Sequence, residues 1–219
     1  MINYALSPPP EISLPISGTD QRFAVRRIYC VGRNYTEHVR EMGGDPKTSA
    51  PIFFTKSRET IVQSGSKIPV PPQTENLHYE VELVVAMASP QEIFGYGTGL
   101  DMTRRDLQAI AKKGGKPWDM AKNFDHSAPC SEIVEQSQIE SLDKSSIELI
   151  LNGKVMQSST LGKMIWTVEE IIKHLSASVD LKAGDLIFTG TPEGVGPAIA
   201  GDVLLGEIDG LPSVEVTYY

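Results

Sequence analysis

The sequence predicts an α+β domain that is rich in β-strands. Short runs in which apolar and polar residues alternate occur along most of the 219 residues, and a period of two is typical of strands. Residues 130–219 are mostly of this kind, and Asn152-Gly153 between two such runs is the strongest short signal for a β-hairpin. Helix formers with recognisable end signals are limited to 35–42, 102–113 and 167–175.

The N-terminal residues differ in composition from the rest of the chain. Residues 1–24 are rich in Pro, Ser and Gly, which favours loose turns or short edge strands over a helical arm. No repeat, low-complexity block or linker divides the chain after that point. We therefore expect an extended N-terminal segment, residues 1–25, followed by a single domain, residues 26–219.

The first helix is predicted between strands at 26–31 and 51–56. Asn34 is placed as its N-cap and Gly43-Gly44 as its stop. His38 and Glu41 are three residues apart, so a helix brings them onto one face. A carboxylate beside a histidine orients the ring and makes it more basic, as general bases require. The alternative is an exposed helix on which the two residues pair by chance.

The stretch 77–87 carries the most informative pair of carboxylates. Apolar residues alternate there with His78, Glu80 and Glu82, which predicts a half-buried strand with both glutamates on one face. Two carboxylates one pleat apart repel each other, and oxygen ligands suit a hard cation such as Mg²⁺, Mn²⁺ or Ca²⁺. The alternative is a solvent-facing strand with charged residues, which is common in antiparallel sheets.

A further strand is predicted at 95–101, followed by the helix at 102–113 and its stop at Gly114-Gly115. Its alternating glycines allow a neighbouring backbone or a ligand to approach closely. Asp101, at the end of this strand, is either a third carboxylate of the same site or a helix cap.

Residues 116–129 show no clean period, and two aromatic residues, Trp118 and Phe124, are expected to anchor them to the core. Lys122 lies between these aromatic residues, where partial burial lowers the pKa of a lysine unless an anion compensates. The alternative is a lysine whose stem packs along the surface while its ammonium group stays in water.

The C-terminal third is predicted to consist of short strands around one helix. Thr167 and Glu170 have the spacing of a capping box at the start of that helix. Gly190-Thr-Pro-Glu-Gly-Val-Gly196 is a rigid loop with many exposed N–H groups, and it lacks the Gly-Lys-Ser/Thr ending of a phosphate-binding loop. The predicted strands are 146–151, 154–157, 181–189, 202–209 and 214–218.

Composition and charge exclude several classes of function. The net charge of −8 and the isoelectric point of about 5.1 argue against nucleic acid or an anionic membrane as the main partner. No apolar run approaches the roughly 18 residues that a transmembrane helix needs, and the N-terminus lacks the pattern of a signal peptide. The two cysteines, Cys30 and Cys130, are expected to remain thiols, which favours a cytoplasmic protein.

Five motifs occur in order along the chain. They are Val31-Gly-Arg-Asn-Tyr-Thr-Glu-His-Val-Arg-Glu-Met42, Glu80-Val-Glu82, Gly99-Leu-Asp-Met-Thr-Arg-Arg-Asp-Leu-Gln108, Pro117-Trp-Asp-Met-Ala-Lys122 and Phe188-Thr-Gly-Thr-Pro-Glu-Gly-Val-Gly-Pro197. Together they resemble the fumarylacetoacetate hydrolase family, in particular its acylpyruvase and fumarylpyruvate hydrolase branch. The resemblance implies a mixed β-roll with short helices and a lid segment, a homodimer, a catalytic domain at 26–219, and a role in aromatic catabolism.

The resemblance also implies a role for each matching residue. The ligands of a divalent cation, Mg²⁺ or alternatively Mn²⁺ or Ca²⁺, are then Glu80, Glu82 and Asp101. Lys122 matches the active-site lysine, and His38 with Glu41 matches a water-activating dyad on a mobile lid helix. The positions that match the lining of the substrate pocket are Arg33, Arg105, Gln108 and Thr191.

One departure from the family pattern concerns the link between two of these ligands. Only nineteen positions separate Glu82 from Asp101, whereas relatives have several more, including a short helix. Because the motifs on both sides are intact, we expect either a trimmed surface connection or a loop absent from this sequence.

The implied chemistry is hydrolysis of the C–C bond of an acylpyruvate, a small diketo acid, to pyruvate and a carboxylic acid. His38 would take a proton from water, Lys122 would help to stabilise the enolate, and backbone donors of the 190–196 loop with Thr191 would hold the far end of the ligand. The same site would also suit oxaloacetate decarboxylation, or isomerisation or hydration of dienoates. A non-catalytic, metal-stabilised binding protein is the alternative from another class.

Overall fold

The structure, a computed structural model, describes residues 4–43 and 50–219. It is rich in strands, has few short helices and contains a curled mixed sheet, which confirms the predicted fold class. Gly44, half of the predicted stop of the first helix, lies outside the described residues.

The elements are numbered in chain order. The first nine strands are β1 (Ser13–Pro15), β2 (Arg22–Ala24), β3 (Arg27–Gly32), β4 (Ile52–Lys56), β5 (Ile61–Gln63), β6 (Ser66–Ile68), β7 (Leu77–Tyr79), β8 (Val81–Met87) and β9 (Ile93–Leu100). They are followed by β10 (Thr103–Arg104), β11 (Ala128–Cys130), β12 (Val134–Glu135), β13 (Ser146–Leu151), β14 (Lys154–Thr160), β15 (Asp185–Phe188), β16 (Gly196–Pro197), β17 (Val203–Ile208) and β18 (Val214–Tyr218). The α-helices are α1 (Thr36–Glu41), α2 (Arg105–Lys113), α3 (Asp119–Lys122) and α4 (Val168–Ser176).

Two larger sheets dominate the described part of the chain. The first runs in the order β4-β3-β15-β8-β9-β11-β5, with β12 paired to β9, and is mixed because β15 is parallel to β3 and antiparallel to β8. The second runs in the order β14-β13-β17-β18-β6. A small sheet has the order β10-β7-β16. Its central strand, β7, directly precedes β8 in the chain, next to the candidate site.

Strand β8 is buried on both faces, so the prediction of a half-buried strand is wrong. Its residues alternate between two apolar clusters: Leu83 and Val85 pack in one, and Val84 and Ala86 in the other. The alternation of the sequence therefore separates two buried faces, and the polar position Glu82 is 1% exposed. A carboxylate buried this deeply needs a specific partner.

The short link between the predicted metal ligands is a tight hairpin at the far end of β8 and β9. The Ala88 N–H donates to the Glu92 carbonyl at 2.8 Å, and β9 then pairs with β8 along its whole length. Glu82 lies opposite Gly99, so the ladder aligns the two ends that carry the carboxylates. In this chain the link is therefore a short surface connection, and the strand ladder beside it holds the ends of β8 and β9 together.

Helix α1 begins one residue later than predicted, at Thr36, and Asn34 is not its cap. The Asn34 side chain is buried and donates to the Thr189 carbonyl at 2.7 Å and to the Trp166 carbonyl at 3.1 Å, while its Oδ1 accepts from the Trp166 N–H at 2.7 Å. These bonds tie the start of α1 to the chain after β15. Asn34 has the residue type of an N-cap, but its side chain instead joins segments that are distant in the sequence.

The other helices agree more closely with expectation. The capping box of Thr167 and Glu170 is formed at the start of α4, and Gly114 ends α2. Residues 116–129 contain the one-turn helix α3 and the strand β11, which the missing period did not reveal. The longest helices have nine residues, and none that the structure describes is long and apolar enough to traverse a bilayer.

The N-terminal residues form the hairpin β1–β2, which packs on the central sheet. Leu14 and Phe23 belong to the second apolar cluster, and the Ser17 N–H donates to the Ile133 carbonyl at 2.9 Å. Short edge strands of this kind were among the expectations for residues 1–24. The division into a segment at 1–25 and a domain at 26–219 stays a prediction.

Gly99 is a position where the packing of β9 requires a glycine. An added Cβ would lie 2.6 Å from side-chain carbons of both Val84 and Phe188.

We expect Gly99→Ala to lower the free energy of unfolding by about 1–3 kcal/mol through overpacking, measured by urea denaturation. The neighbouring Thr98→Val is the control, because the buried Thr98 hydroxyl has no hydrogen-bond partner among the described residues and its removal is nearly neutral or stabilising. Equal stability of Gly99→Ala and the wild type would contradict this account of the sheet.

Candidate active site

The site is built at Glu80, the single residue that interrupts the chain between β7 and β8. The Val81 N–H donates to the side-chain Oε1 of Gln157 at 3.1 Å. The Asp101 N–H donates to the Glu80 carbonyl at 2.8 Å, so the ends of β8 and β9 stay together. This backbone arrangement places the Glu80 and Asp101 side chains side by side.

Three carboxylates meet at this point, as the sequence predicted. One oxygen from each of Glu80, Glu82 and Asp101 lies within 4.8 Å of the others. All three side chains are buried, with exposed fractions of 5%, 1% and 1%. Burial of three like charges requires compensation by cations.

Lys122 supplies part of that compensation from helix α3. Its ammonium group donates to Glu80 Oε2 at 2.8 Å, to Asp101 Oδ2 at 2.6 Å and to the Thr103 hydroxyl at 2.6 Å. The residue is 3% exposed, so the surface-packed alternative is wrong. Burial by itself lowers the pKa of Lys122, but the charges of Asp101 and Glu80 outweigh it and the pKa is raised.

Two further cations complete the cluster. Arg105, the first residue of α2, forms an ion pair with Glu80 Oε1. Lys56, at the end of β4, lies with its Nζ 2.8 Å from Asp101 Oδ1 and donates to the carbonyls of Met102 and Lys122. The three carboxylates are thus faced by three cationic side chains.

The two glutamates have opposite electrostatic environments. Burial raises the pKa of Glu82 well above its usual range, and the charges of Asp101 and Glu80 add to that rise. Burial also opposes ionisation of Glu80, but Lys122, Arg105 and His38 outweigh it and lower the pKa of Glu80. Glu82 is therefore the carboxylate that lacks a cation of its own.

These residues fit a divalent cation. The donor set consists of carboxylate oxygens, which Mg²⁺ and Mn²⁺ prefer. Asp101 Oδ1 accepts no hydrogen bond from the described residues despite its charge contact with Lys56. A cation held by the triad would offset the repulsion that raises the pKa of Glu82.

His38 and Glu41 are brought together on α1, as predicted. His38 Nδ1 lies 3.1 Å from Glu41 Oε2, and the His38 side chain is 7% exposed. Because an ionised carboxylate only accepts hydrogen bonds, Nδ1 is the donor in this pair. The ring then presents Nε2 as the nitrogen that is able to accept a proton.

Two N–H groups of the loop at 190–196 donate to predicted site residues. The predicted role of these groups was to hold the far end of the ligand. The Gly190 N–H donates to Glu82 Oε2 at 2.8 Å, and the Gly194 N–H donates to Glu41 Oε1 at 3.1 Å. These two donors are therefore occupied by carboxylates and do not point at the far end of a ligand. The loop orients one member of the metal triad and one member of the dyad.

Thr191 is held in place by a neighbouring strand. Gln157 on β14 donates from Nε2 to the Thr191 hydroxyl at 2.9 Å and to the Pro192 carbonyl at 2.9 Å. The other end of the same amide accepts from Val81, so Gln157 joins the loop to the interruption at Glu80.

The remaining predicted pocket residues lie around the same cavity. Arg105 donates to the Gln108 side chain at 2.7 Å and, through Nε, to His78 Nδ1 at 3.3 Å. Burial and the charge of Arg105 lower the pKa of His78 to about 4, so the ring is neutral and accepts this bond. Arg33 has a positive φ of 63°, a strained conformation for a residue other than glycine.

Eight of the ten predicted site residues line one cavity, and the other two, Glu41 and Asp101, contact its lining from behind. The cavity is lined by Val31, Gly32, Arg33, His38, Met42, Phe54, Glu80, Glu82, Arg105, Gln108, Lys112, Trp118, Lys122 and Thr191. Residues more than 150 positions apart in the sequence thus face one another.

Sequence reasoning missed Lys56, Gln157 and Lys112. Lys56 ends a strand of otherwise apolar or neutral residues, and a buried lysine there was detectable only once a carboxylate was known to lie opposite. Gln157 sits in an ordinary hairpin strand. Lys112 lies seven positions after Arg105, which is a helical spacing that points both side chains in similar directions.

The strand-rich fold with a buried carboxylate triad is typical of enzymes that bind a divalent metal ion. Comparison with known proteins identifies the family. Residues 27–218 match the family described as fumarylacetoacetate (FAA) hydrolase C-terminal. The chain belongs to the fumarylacetoacetate hydrolase family.

Two relatives represent the sequences that are similar to this chain. A fumarylpyruvate hydrolase from Ralstonia sp. is 44% identical over 183 residues, which cover 79% of this chain and 95% of that protein. The mitochondrial oxaloacetate tautomerase FAHD1 from Homo sapiens is 40% identical over 199 residues, which cover 86% of this chain and 90% of that protein.

A solved structure gives a similar result. The crystal structure of fumarylpyruvate hydrolase from Pseudomonas aeruginosa in complex with Mn²⁺ and pyruvate superposes with a TM-score of 0.95. It is 43% identical, and the alignment covers 99% of both chains.

The substitution Glu82→Gln distinguishes an effect on metal binding from an effect on the stability of the fold. Without metal, the amide keeps an oxygen for the Gly190 N–H and removes a carboxylate whose pKa is raised by its neighbours, so we expect the variant to be at least as stable as the wild type in EDTA. With Mn²⁺ at about 100 times its Kd, the wild type should gain about 2.7 kcal/mol of stability, and the variant should lose most of this gain. Thermal denaturation with and without Mn²⁺ measures both effects.

The partly exposed strand residue Glu148 provides the control, since Glu148→Gln removes a carboxylate outside the triad. An unchanged response of Glu82→Gln to Mn²⁺ would remove Glu82 from the metal site.

Proposed function

We propose that this protein is a divalent-metal-dependent hydrolase that cleaves the C–C bond of acylpyruvates such as fumarylpyruvate, giving pyruvate and a carboxylic acid. One observation carries the proposal: Glu80 and Glu82 of a buried carboxylate triad line the same cavity as His38, which a carboxylate orients. The similarity to two fumarylpyruvate hydrolases, at 44% and 43% identity, supports the substrate class.

The reaction needs two kinds of group. Water must add to the carbonyl of the acyl group, which requires a base, and the C–C bond must then break with its electron pair left on the methylene carbon of pyruvate as an enolate. That enolate takes up a proton to give pyruvate. Stabilisation of the enolate oxygen requires positive charge.

Mg²⁺ or Mn²⁺ is the proposed cofactor, with Ca²⁺ as a weaker candidate, and Glu80, Glu82 and Asp101 are the proposed ligands. When bound, such a cation supplies Lewis-acid polarisation of the keto oxygen and stabilises negative charge that develops on it. The described residues fit it, as the three carboxylates with oxygens within 4.8 Å of one another and the raised pKa of Glu82 indicate.

His38 is the proposed general base. Glu41 accepts the Nδ1 proton and is itself fixed by the Gly194 N–H, so Nε2 is directed by two successive hydrogen bonds. A proton taken from water at Nε2 gives an imidazolium that the Glu41 carboxylate stabilises.

Cationic side chains of the cavity are the proposed substrate holders. Lys122 keeps an ammonium group beside the carboxylates and stabilises negative charge on the enolate. Arg105, fixed by Glu80, Gln108 and His78, offers a guanidinium at the same end of the cavity. Thr191 contributes its hydroxyl from the opposite loop.

Oxaloacetate is the second candidate substrate. The human relative at 40% identity is an oxaloacetate tautomerase, and interconversion of keto and enol forms also passes through an enolate. Decarboxylation of oxaloacetate needs the same stabilised enolate but no activated water, so the His38–Glu41 pair favours hydrolysis over decarboxylation.

A substrate panel tests the proposal. The protein is incubated with fumarylpyruvate, acetylpyruvate and oxaloacetate in EDTA and again after addition of Mg²⁺ or Mn²⁺, while pyruvate release and the enol absorbance are followed. Metal-dependent pyruvate release from an acylpyruvate supports the proposal. Metal-dependent melting without turnover of any keto acid would favour a non-catalytic binding protein.

We also propose a homodimer that acts in the cytoplasm in the breakdown of aromatic compounds, with residues 26–219 as its catalytic domain. The family resemblance and the match of residues 27–218 support this assignment. Sedimentation at several protein concentrations tests the dimer.

His38→Ala tests the division of roles within the site. We expect kcat to fall by about 10²- to 10⁴-fold, as is usual for loss of a general base, while the stabilisation by Mn²⁺ remains, because His38 is not one of the three carboxylate ligands. The measurements are steady-state kinetics and thermal denaturation.

Glu41→Gln should lower kcat less than His38→Ala. Glu37→Gln is its matched control on the same helix, since Glu37 pairs with Arg40 at the surface. Parallel loss of turnover and of the Mn²⁺ response in His38→Ala would refute the separate roles of base and ligands.

A further inference from the structure

Two basic side chains of the cavity have no anionic partner among the described residues. Lys112 and Arg33 both line the cavity, and neither takes part in the ion pairs found in the described ranges. The Arg33 Nε is buried and has no hydrogen-bond partner there. A buried donor without a partner is costly in a protein, and a ligand is one way to satisfy it.

The position of Lys112 on α2 separates it from the metal triad. Arg105, Gln108 and Lys112 lie at i, i+3 and i+7, so all three side chains share one helix face. Arg105 contacts Glu80 at one end of this row. The backbone of Lys112 lies about 10 Å from that of Arg105 along the helix axis, at a rise of about 1.5 Å per residue.

Trp118 holds the lysine at the other end of the row. The Lys112 Nζ lies 5.0 Å from the centre of the Trp118 ring, which is a cation–π distance. Both side chains are part of the cavity lining, so the ammonium group is kept at the wall of the cavity.

The charges of the cavity favour an anion at this end. Glu80 and Asp101 are already paired with Lys56, Lys122 and Arg105, and no ion pair in the described ranges joins a carboxylate of the triad to Lys112 or Arg33. Burial lowers the pKa of Lys112 to about 8, and the nearby charges of Arg105 and Arg33 contribute to this fall. An anion bound beside Lys112 would offset the repulsion among these cations.

We propose that Lys112, together with Arg33, binds the distal carboxylate of the substrate, so that the enzyme prefers acylpyruvates with a carboxylate at both ends. This inference rests on the proposed function. The pyruvate end of such a substrate lies beside the triad and Arg105, and the acyl end extends along α2 towards Lys112. Fumarylpyruvate has this second carboxylate, whereas acetylpyruvate has a methyl group in its place.

Because the distal carboxylate takes no part in bond cleavage, Lys112 is a specificity residue that acts mainly through binding. Its loss should raise KM for the dicarboxylate more than it lowers kcat. A residue needed only for packing would affect both substrates to the same degree.

The test compares kcat/KM for fumarylpyruvate and acetylpyruvate in Lys112→Gln, Lys112→Arg and the wild type with Mg²⁺. We expect Lys112→Gln to lower kcat/KM for fumarylpyruvate by about 10- to 100-fold, as for loss of a charged hydrogen bond, and to affect acetylpyruvate at least tenfold less. Lys112→Arg keeps the charge and should restore much of the preference. Lys113→Gln, at an exposed neighbouring position, is the matched control.

Equal losses for the two substrates, or no loss for fumarylpyruvate, would overturn the inference and leave the proposed function in place. If the wild type hydrolyses neither substrate, the proposed function fails, and binding of fumarate decides the inference by itself. Calorimetry should then show fumarate bound about 10- to 100-fold more weakly by Lys112→Gln than by Lys113→Gln. Equal affinities in the two variants would exclude the anion site.

Discussion

The structure depends on one electrostatic constraint, the burial of three carboxylates at the end of a central hairpin. Glu80, Glu82 and Asp101 are almost fully excluded from water and lie within 4.8 Å of one another. Charges in such a place are tolerated only when other charges and hydrogen bonds surround them. Helix α3, helix α2 and strand β4 each deliver one cation, and Gly190 delivers a backbone N–H, so four separate parts of the chain converge on this cluster.

The polar residues around the cluster also explain how distant segments are held together. Gln157 joins the interruption at Glu80 to the loop that carries Thr191, and Asn34 joins the start of α1 to the chain after β15. The same loop fixes Glu41 through Gly194. The His38–Glu41 pair and the carboxylate triad therefore share one support, a loop that comes from the C-terminal part of the sequence. An enzyme site gains from such support, because small displacements of catalytic groups reduce rates strongly.

The proposed chemistry follows from the separation of charge within the cavity. The anionic triad suits a divalent cation, the His38–Glu41 pair provides a base, and the row of basic residues on α2 suits an anionic substrate. Relatives with 40–44% identity include both a fumarylpyruvate hydrolase and an oxaloacetate tautomerase. Fumarylpyruvate and oxaloacetate both form enolates and carry two carboxylates. The cationic side chains of this cavity therefore suit hydrolysis of the first and tautomerisation of the second.

The sequence by itself determined the strand-rich fold and the helices α1, α2 and α4, because period and caps are local signals. The ordered motifs, through the family resemblance, predicted the ten site residues. Elements with such signals, for example the strands at 51–56 and 214–218, agree with the structure within one or two residues. The sequence did not reveal that β8 is buried on both faces, since alternation looks the same whether the second face meets water or another apolar cluster. It also took Asn34 for a cap and the N–H groups of Gly190 and Gly194 for ligand donors, because the partners that use them lie more than 100 residues away. Only the tertiary structure placed Lys56 and Lys122 against the carboxylates, and it did so because buried charges select their neighbours in space and leave no periodic trace in the chain.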